Sequence, residues 1–123
     1  MNATQKQTFT FISRTAPYGS NRPQLCLDTA LAAAVFEQQV NYLFMEDGVY
    51  QLLKNQDAEA IYTKTIGRIL ETLNLYGIES IYVCKESLES RGLLLGDLVI
   101  EPKLTNANEL KTVLNSSDTV INL

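Results

Sequence analysis

Val40-Asn41-Tyr42-Leu43-Phe44-Met45, followed at once by Glu46-Asp47-Gly48, is a nearly continuous apolar run closed by a turn signal. A strand with one face in water alternates polar and apolar residues. A run this apolar belongs to a strand covered on both faces, as strands are in a parallel sheet. Upstream, residues 8–13 alternate, with Phe9 and Phe11 on one face and Thr10 and Ile12 on the other, and predict a first strand. The loop 14–22 breaks the periodicity with Pro17, Gly19, Ser20 and Asn21. Pro23 then suits the first turn of a helix, where a missing N–H costs nothing. That helix carries Leu25, Cys26, Leu27, Ala30, Leu31 and the run 32–36, apolar almost all round. It is expected to bury one side against the sheet and to offer the other to a partner subunit.

Downstream, residues 49–53 predict one short helical turn, and Asn55 or Asp57 can cap a longer helix carrying Tyr62, Ile66, Ile69, Leu70 and Leu73. Gly77 ends it, in the place where a helix commonly needs left-handed backbone. A third strand follows over 78–84 and a helix over 85–91, with Gly92 as its terminator. A short fourth strand is expected over 98–100, ended by Pro102. Asn106 and Glu109 have capping-box spacing for a helix through Leu114, and residues 119–123 predict a last strand. Strands alternating with helices give the fold class α/β, three layers around a mostly parallel sheet of about five strands. Residues 1–123 read as one domain, with residues 1–7 a polar tail.

At 46% hydrophobic and 20% charged residues, the chain has the composition of a globular protein that builds its own core. No apolar run approaches the roughly 18 residues that span a bilayer, so no membrane partner is expected. The first residues lack the basic and apolar regions of a signal peptide, which makes the cytoplasm the expected compartment. There two cysteines are expected to be free thiols. The chain has no histidine, which excludes histidine-dependent triads and leaves little for a zinc site, so no metal is expected. A net charge of −4 with scattered lysines and arginines gives no basic stripe, and direct nucleic-acid binding is disfavoured.

Open α/β sheets carry their sites at the carboxyl ends of strands. Three segments qualify: the loop 14–22, Glu46-Asp47-Gly48, and Cys84-Lys85-Glu86. Cys84 stands where a strand runs into a helix, beside backbone N–H groups that favour a thiolate. It reads either as a nucleophile able to carry a sulfane sulfur or as a small apolar residue ending a strand. Glu86 and Glu89 bring negative charge to the same turn. Cys26, among leucines and alanines, reads as a buried hydrophobe, and a redox pair with Cys84 requires Cα atoms within about 7 Å. Glu46 and Asp47 could form a carboxylate pair or contact a partner, although Asp-Gly is also ordinary turn chemistry. Ser13, Thr15, Tyr18 and Ser20 could cradle a phosphate, but no glycine-rich phosphate motif accompanies them, so the alternative of a flavodoxin-like small-ligand binder rests on hydroxyls alone. Tyr42, Tyr50, Tyr76 and Tyr82 are candidates for a subunit interface.

Three blocks then fall in a recognisable order. They are Ile12-Ser13-Arg14-Thr15-Ala16-Pro17-Tyr18-Gly19, Phe44-Met45-Glu46-Asp47-Gly48-Val49-Tyr50-Gln51-Leu52-Leu53, and Leu75-Tyr76-Gly77-Ile78-Glu79 with Tyr82-Val83-Cys84 and Ser90-Arg91-Gly92-Leu93. Together they resemble the TusC/DsrF branch of the DsrE-like sulfur-relay proteins. The resemblance implies a subunit of a TusBCD/DsrEFH-like hetero-oligomer, a heterohexamer with homologous TusB-like and TusD-like chains. It further implies persulfide transfer from a TusA-like donor to a TusE-like acceptor, for 2-thiolation of a tRNA wobble uridine or, in the Dsr complexes, for sulfur oxidation. No cofactor is implied. In that family the sulfur-accepting cysteine belongs to the TusD-like subunit, at the position matching Cys84. The expectation is therefore a mainly structural, non-catalytic subunit, with Cys84 the counterpart of a partner's thiol; the alternative is that Cys84 is itself a sulfur carrier.

Overall fold

The computed structural model describes residues 6–17, 19–53 and 73–123. The apolar run is strand β2 (Gln39–Phe44), paired in parallel with β1 (Thr8–Ser13) on one side and β3 (Ser80–Cys84) on the other. Strand β4 (Lys103–Thr105) extends the sheet beyond β3 and β5 (Thr119–Asn122) beyond β1. The order is β4-β3-β2-β1-β5, with every pair parallel. The α/β class and the parallel sheet are as the sequence indicates.

Helix α1 (Arg22–Val35) links β1 to β2 and buries Pro23, Cys26, Leu27 and Ala30 against the sheet. Its partners there are Phe11, Val40, Tyr42, Phe44 and Val83. Fully burying side chains the size of Leu27, Phe11 or Phe44 stabilises by about 1.5–3 kcal/mol each. Successive steps from β1 to β4 run in one direction across the sheet, and the last step returns past β1 to β5. Right-handed crossovers then put α1 and α3 (Ala107–Asn115) on opposite faces. Just past α3, the Ser117 hydroxyl bonds that of Thr10, which points away from Phe9 and Phe11. Asn106 and Glu109 form both arms of the capping box, at 2.9 and 3.0 Å.

The fourth strand is displaced from its expected place. Leu98 makes an isolated antiparallel bridge to Leu53, and the Val99 N–H donates to the Leu52 carbonyl at 2.7 Å. The ladder position is taken by Lys103–Thr105, after Pro102. A proline cannot donate to a ladder, but it is tolerated where a chain enters an edge strand. The more apolar segment 98–100 is used as packing, with Leu98 in the core. The expected helix carrying Tyr62, Ile66, Ile69 and Leu70, with its caps Asn55 and Asp57, lies outside the described residues. Leu73 falls in a one-turn 3₁₀ helix, Leu73–Tyr76, and Gly77 follows with φ 87°.

Glu46-Asp47-Gly48 is not a separate turn. It opens a 3₁₀ helix, Glu46–Leu52, that buries Val49 and Leu52 and sits across the end of β1. The Met45 N–H donates to the Ser13 carbonyl at 3.2 Å. A Cβ on residue 48 would lie 2.0 Å from that same oxygen, so only glycine fits. Gly48→Ala is expected to destabilise the fold by about 1–3 kcal/mol, read as a lower urea midpoint at unchanged slope, since the clash is with backbone that cannot rotate away. An unshifted midpoint would contradict the close approach.

Candidate functional site

The carboxyl edge of the sheet is assembled by that 3₁₀ helix. Gln51 is fully buried and donates through Nε2 to the Ser13 hydroxyl at 2.7 Å and to the Thr15 carbonyl at 2.9 Å. It thereby ties the loop after β1 to the segment after β2. Extended Met45 gives way to Glu46 in left-handed backbone, φ 51°, a conformation that non-glycine residues rarely hold without support. The support is double. The Glu46 N–H donates to the Ser87 hydroxyl at 2.8 Å, and the Glu46 carboxylate pairs with Arg14. Asp47 turns the other way and pairs with Arg91 at 2.9 Å. Arg91 also donates to the Ser87 carbonyl at 3.2 Å and to the Ser90 hydroxyl at 3.0 Å, and lies 5.9 Å from the centre of the Tyr50 ring.

Cys84 ends β3 and stands as the capping residue of helix α2 (Lys85–Ser90), in extended backbone. It is 7% exposed. Its surroundings are a shallow cleft of about 400 Å³ lined by Arg14, Met45, Glu46, Glu86, Ser87 and Arg91 among others. Both arginines are already matched by carboxylates, and Glu86 adds another negative charge. Lys85, the other candidate helper, points along its own helix to Glu89 at 3.8 Å, an exposed pair worth at most about 1 kcal/mol. Thiols that work as nucleophiles sit in electropositive, accessible settings, and this cleft is at best neutral.

Cys26 lies elsewhere. Val83 packs in the layer beneath α1 that contains Cys26, so Cys84, one residue on, projects to the opposite face. The redox pair is thereby ruled out, and both cysteines are free. Burial pushes the Cys26 thiol up from its ordinary value of 9.0, only partly offset by Tyr42 and Ser13 beside it. Tyr42 is likewise raised, first by burial and then by Cys26.

The hydroxyl-rich loop does not converge on a cradle among the described residues. Ser13 turns inward to Gln51, the Thr15 hydroxyl is buried without a partner, and Ser20 accepts the Arg22 N–H at 3.2 Å; Tyr18 lies outside the described residues. Of the tyrosines, Tyr42 is core and Tyr76 is exposed. Also among the described residues, no cluster of three or more His, Cys, Asp or Glu could hold a metal, and no helix is long and apolar enough to cross a membrane. Sequence reasoning missed Arg14, Gln51 and Arg91 as organisers of this edge. All three stood in segments already singled out, but long-range polar pairs leave no periodic signal.

Modification under native conditions should separate the two thiols. Cys84 is expected to react with a small alkylating agent in the folded protein and Cys26 only on unfolding, as located by peptide mass spectrometry; native labelling of Cys26 ahead of Cys84 would contradict the assigned faces. The raised Cys26 thiol also sets a sign for alkaline stability. Its proton is kept in the folded state and lost from the unfolded one above about pH 9, so stability should fall from there upward. Cys26→Ala should delay that fall, seen as a smaller drop in thermal midpoint between neutral and alkaline buffer.

Comparison with known proteins places these features in context. Residues 7–123 match the family model described as the DsrE/DsrF-like family. A "Protein TusC homolog" of Vibrio vulnificus is 37% identical over 108 residues, covering 88% of this chain and 92% of that one. The "Intracellular sulfur oxidation protein DsrF" of Allochromatium vinosum is 43% identical over 91 residues, covering 74% of this chain and 67% of its own length. Among solved structures, the YchN protein of E. coli superposes with a TM-score of 0.81 at 25% identity, covering 95% of this chain and 99% of that one.

Proposed function

The chain belongs to the DsrE/DsrF-like family, and from that premise we propose that it is a subunit of a sulfur-relay hetero-oligomer whose own contribution is mainly structural. The observation that supports the relay is the pairing of relatives: proteins named TusC and DsrF resemble this chain over most of its length. The assembly is a heterohexamer with TusB-like and TusD-like sisters, working in the cytoplasm, with this chain as one DsrE-like domain. It receives sulfur from a TusA-like donor and delivers it to a TusE-like acceptor, for 2-thiolation of a tRNA wobble uridine.

Each transfer is a thiol–disulfide type exchange. The acceptor thiolate attacks the outer sulfur of the donor persulfide, the S–S bond breaks, and the donor leaves as a thiolate with no net oxidation. Such a step needs an accessible thiolate and orientation, and a sister subunit can supply both. What supports a structural role here is the setting of Cys84: a mostly buried thiol beside a shallow cleft in which Arg14 and Arg91 are matched by Glu46 and Asp47. Cys84 is then the counterpart of a working thiol on the TusD-like chain.

In the purified assembly, Cys84→Ser is expected to leave the rate of sulfur transfer to the acceptor within about twofold of wild type, since truncating a group outside the reacting centre removes no transition-state contact. The measurement is persulfide appearing on the acceptor. Loss of transfer from an intact mutant assembly would instead make Cys84 a carrier in its own right.

A further inference from the structure

The amino-terminal edge of the sheet, opposite the cysteine cleft, carries four large apolar side chains in water. Val35 and Phe36 are 72% and 75% exposed, and Leu75 and Tyr76 are 84% and 53% exposed. They form one region, because α1 packs against the turn Leu73–Tyr76 and the two segments feed the neighbouring strands β2 and β3. None of this is frayed chain. Leu73 and Ile78, both fully buried, bracket the exposed pair, and the Ile78 N–H donates to the Leu73 carbonyl at 3.1 Å. Past α1, the Glu37 N–H donates to Ala34 at 2.9 Å and the Gln38 N–H to Ala33 at 3.2 Å, while the Gln38 side chain donates to the Phe36 carbonyl at 3.1 Å. Glu37 itself is held at φ 61°. Apolar side chains carried on a backbone that is already fixed can be covered without ordering the chain, which favours a binding surface.

The charge around the patch selects the occupant. Exposed Glu37 adjoins Phe36, and exposed Glu79 follows Tyr76 and Gly77 into β3. Over the described part of this edge, Glu37, Glu79, Glu101 and Asp118 stand against Lys6 and Lys103, and Lys103 is engaged 6.0 Å over the Tyr82 ring. A second copy docking face to face would set carboxylates against carboxylates. A different polypeptide with an apolar centre and a Lys/Arg rim meets both features.

We infer that Val35, Phe36, Leu75 and Tyr76, rimmed by Glu37 and Glu79, form the surface on which a sister subunit with a basic rim docks. This rests on the hetero-oligomer reading given above and assigns it a surface. Co-expression of the chain with its sister subunits, followed by native mass spectrometry over a dilution series at low and high salt, tests it. The variants are Phe36→Ser with Leu75→Ser, and Glu37→Lys with Glu79→Lys. All four sites are exposed, so the fold should tolerate both, checked by thermal melting. Each double variant is expected to weaken assembly at least about tenfold, as loss of interface anchors does, and wild-type assembly should weaken with salt. A wild-type assembly left equally tight by the serine variant would overturn this surface and leave the subunit reading standing. Charge reversal that leaves binding unchanged or tightens it would overturn the basic partner. Dimers of the isolated chain abolished by the serine variant would put a second copy there instead, and a wild-type chain that assembles with no sister would overturn both readings.

Discussion

The seat of the 3₁₀ helix Glu46–Leu52 on the end of β1 is the constraint on which the carboxyl edge depends. It is made of backbone and one buried side chain. The Ser13 carbonyl receives the Met45 N–H, the missing Cβ of Gly48 lets the two chains touch, and Gln51 closes the contact from beneath. Leaving a buried amide such as Gln51 unpaired costs about 1–3 kcal/mol. The ion pairs above it, Arg14 with Glu46 and Arg91 with Asp47, involve exposed carboxylates and are each worth at most about 1 kcal/mol. The charges therefore decorate a geometry that backbone packing has already fixed. Their effect is on chemistry, since they match the two arginines that line the cleft beside Cys84.

Strand alternation separates the fates of the two thiols. Cys26 lies beside Tyr42 and Ser13 in the layer under α1, where burial keeps the proton on sulfur. Cys84, one residue beyond the core strand position of Val83, opens to the other face, into a cleft whose walls the 3₁₀ helix and α2 provide. A strand-to-helix junction is where this fold can place a reactive thiol. Here the junction is kept, while the cations that line its cleft are matched by carboxylates.

The central strands were legible because burial writes itself into composition: β2 is apolar along its whole length, and β1 alternates visibly. Local stop and start signals were legible for the same kind of reason, with Pro23 opening α1, Asn106 and Glu109 boxing α3, and Gly77 turning with positive φ. The edge strand was not. Lys103-Leu104-Thr105 pairs on one side only and needs little apolar character, so the more hydrophobic 98–100 drew the assignment although its Leu98 serves the core. Cys84 was found from its place between strand and helix. Its neutralised surroundings were invisible, because Arg14 with Glu46 and Arg91 with Asp47 join residues far apart in the chain.

The central claim is that sulfur passes through the assembly without resting on this chain. Mass analysis of every subunit after loading the intact assembly with persulfide from its donor tests that claim most directly. The account predicts one added sulfur on a cysteine of a sister subunit and none on Cys84. An added sulfur on Cys84, discharged when the acceptor is supplied, would contradict it.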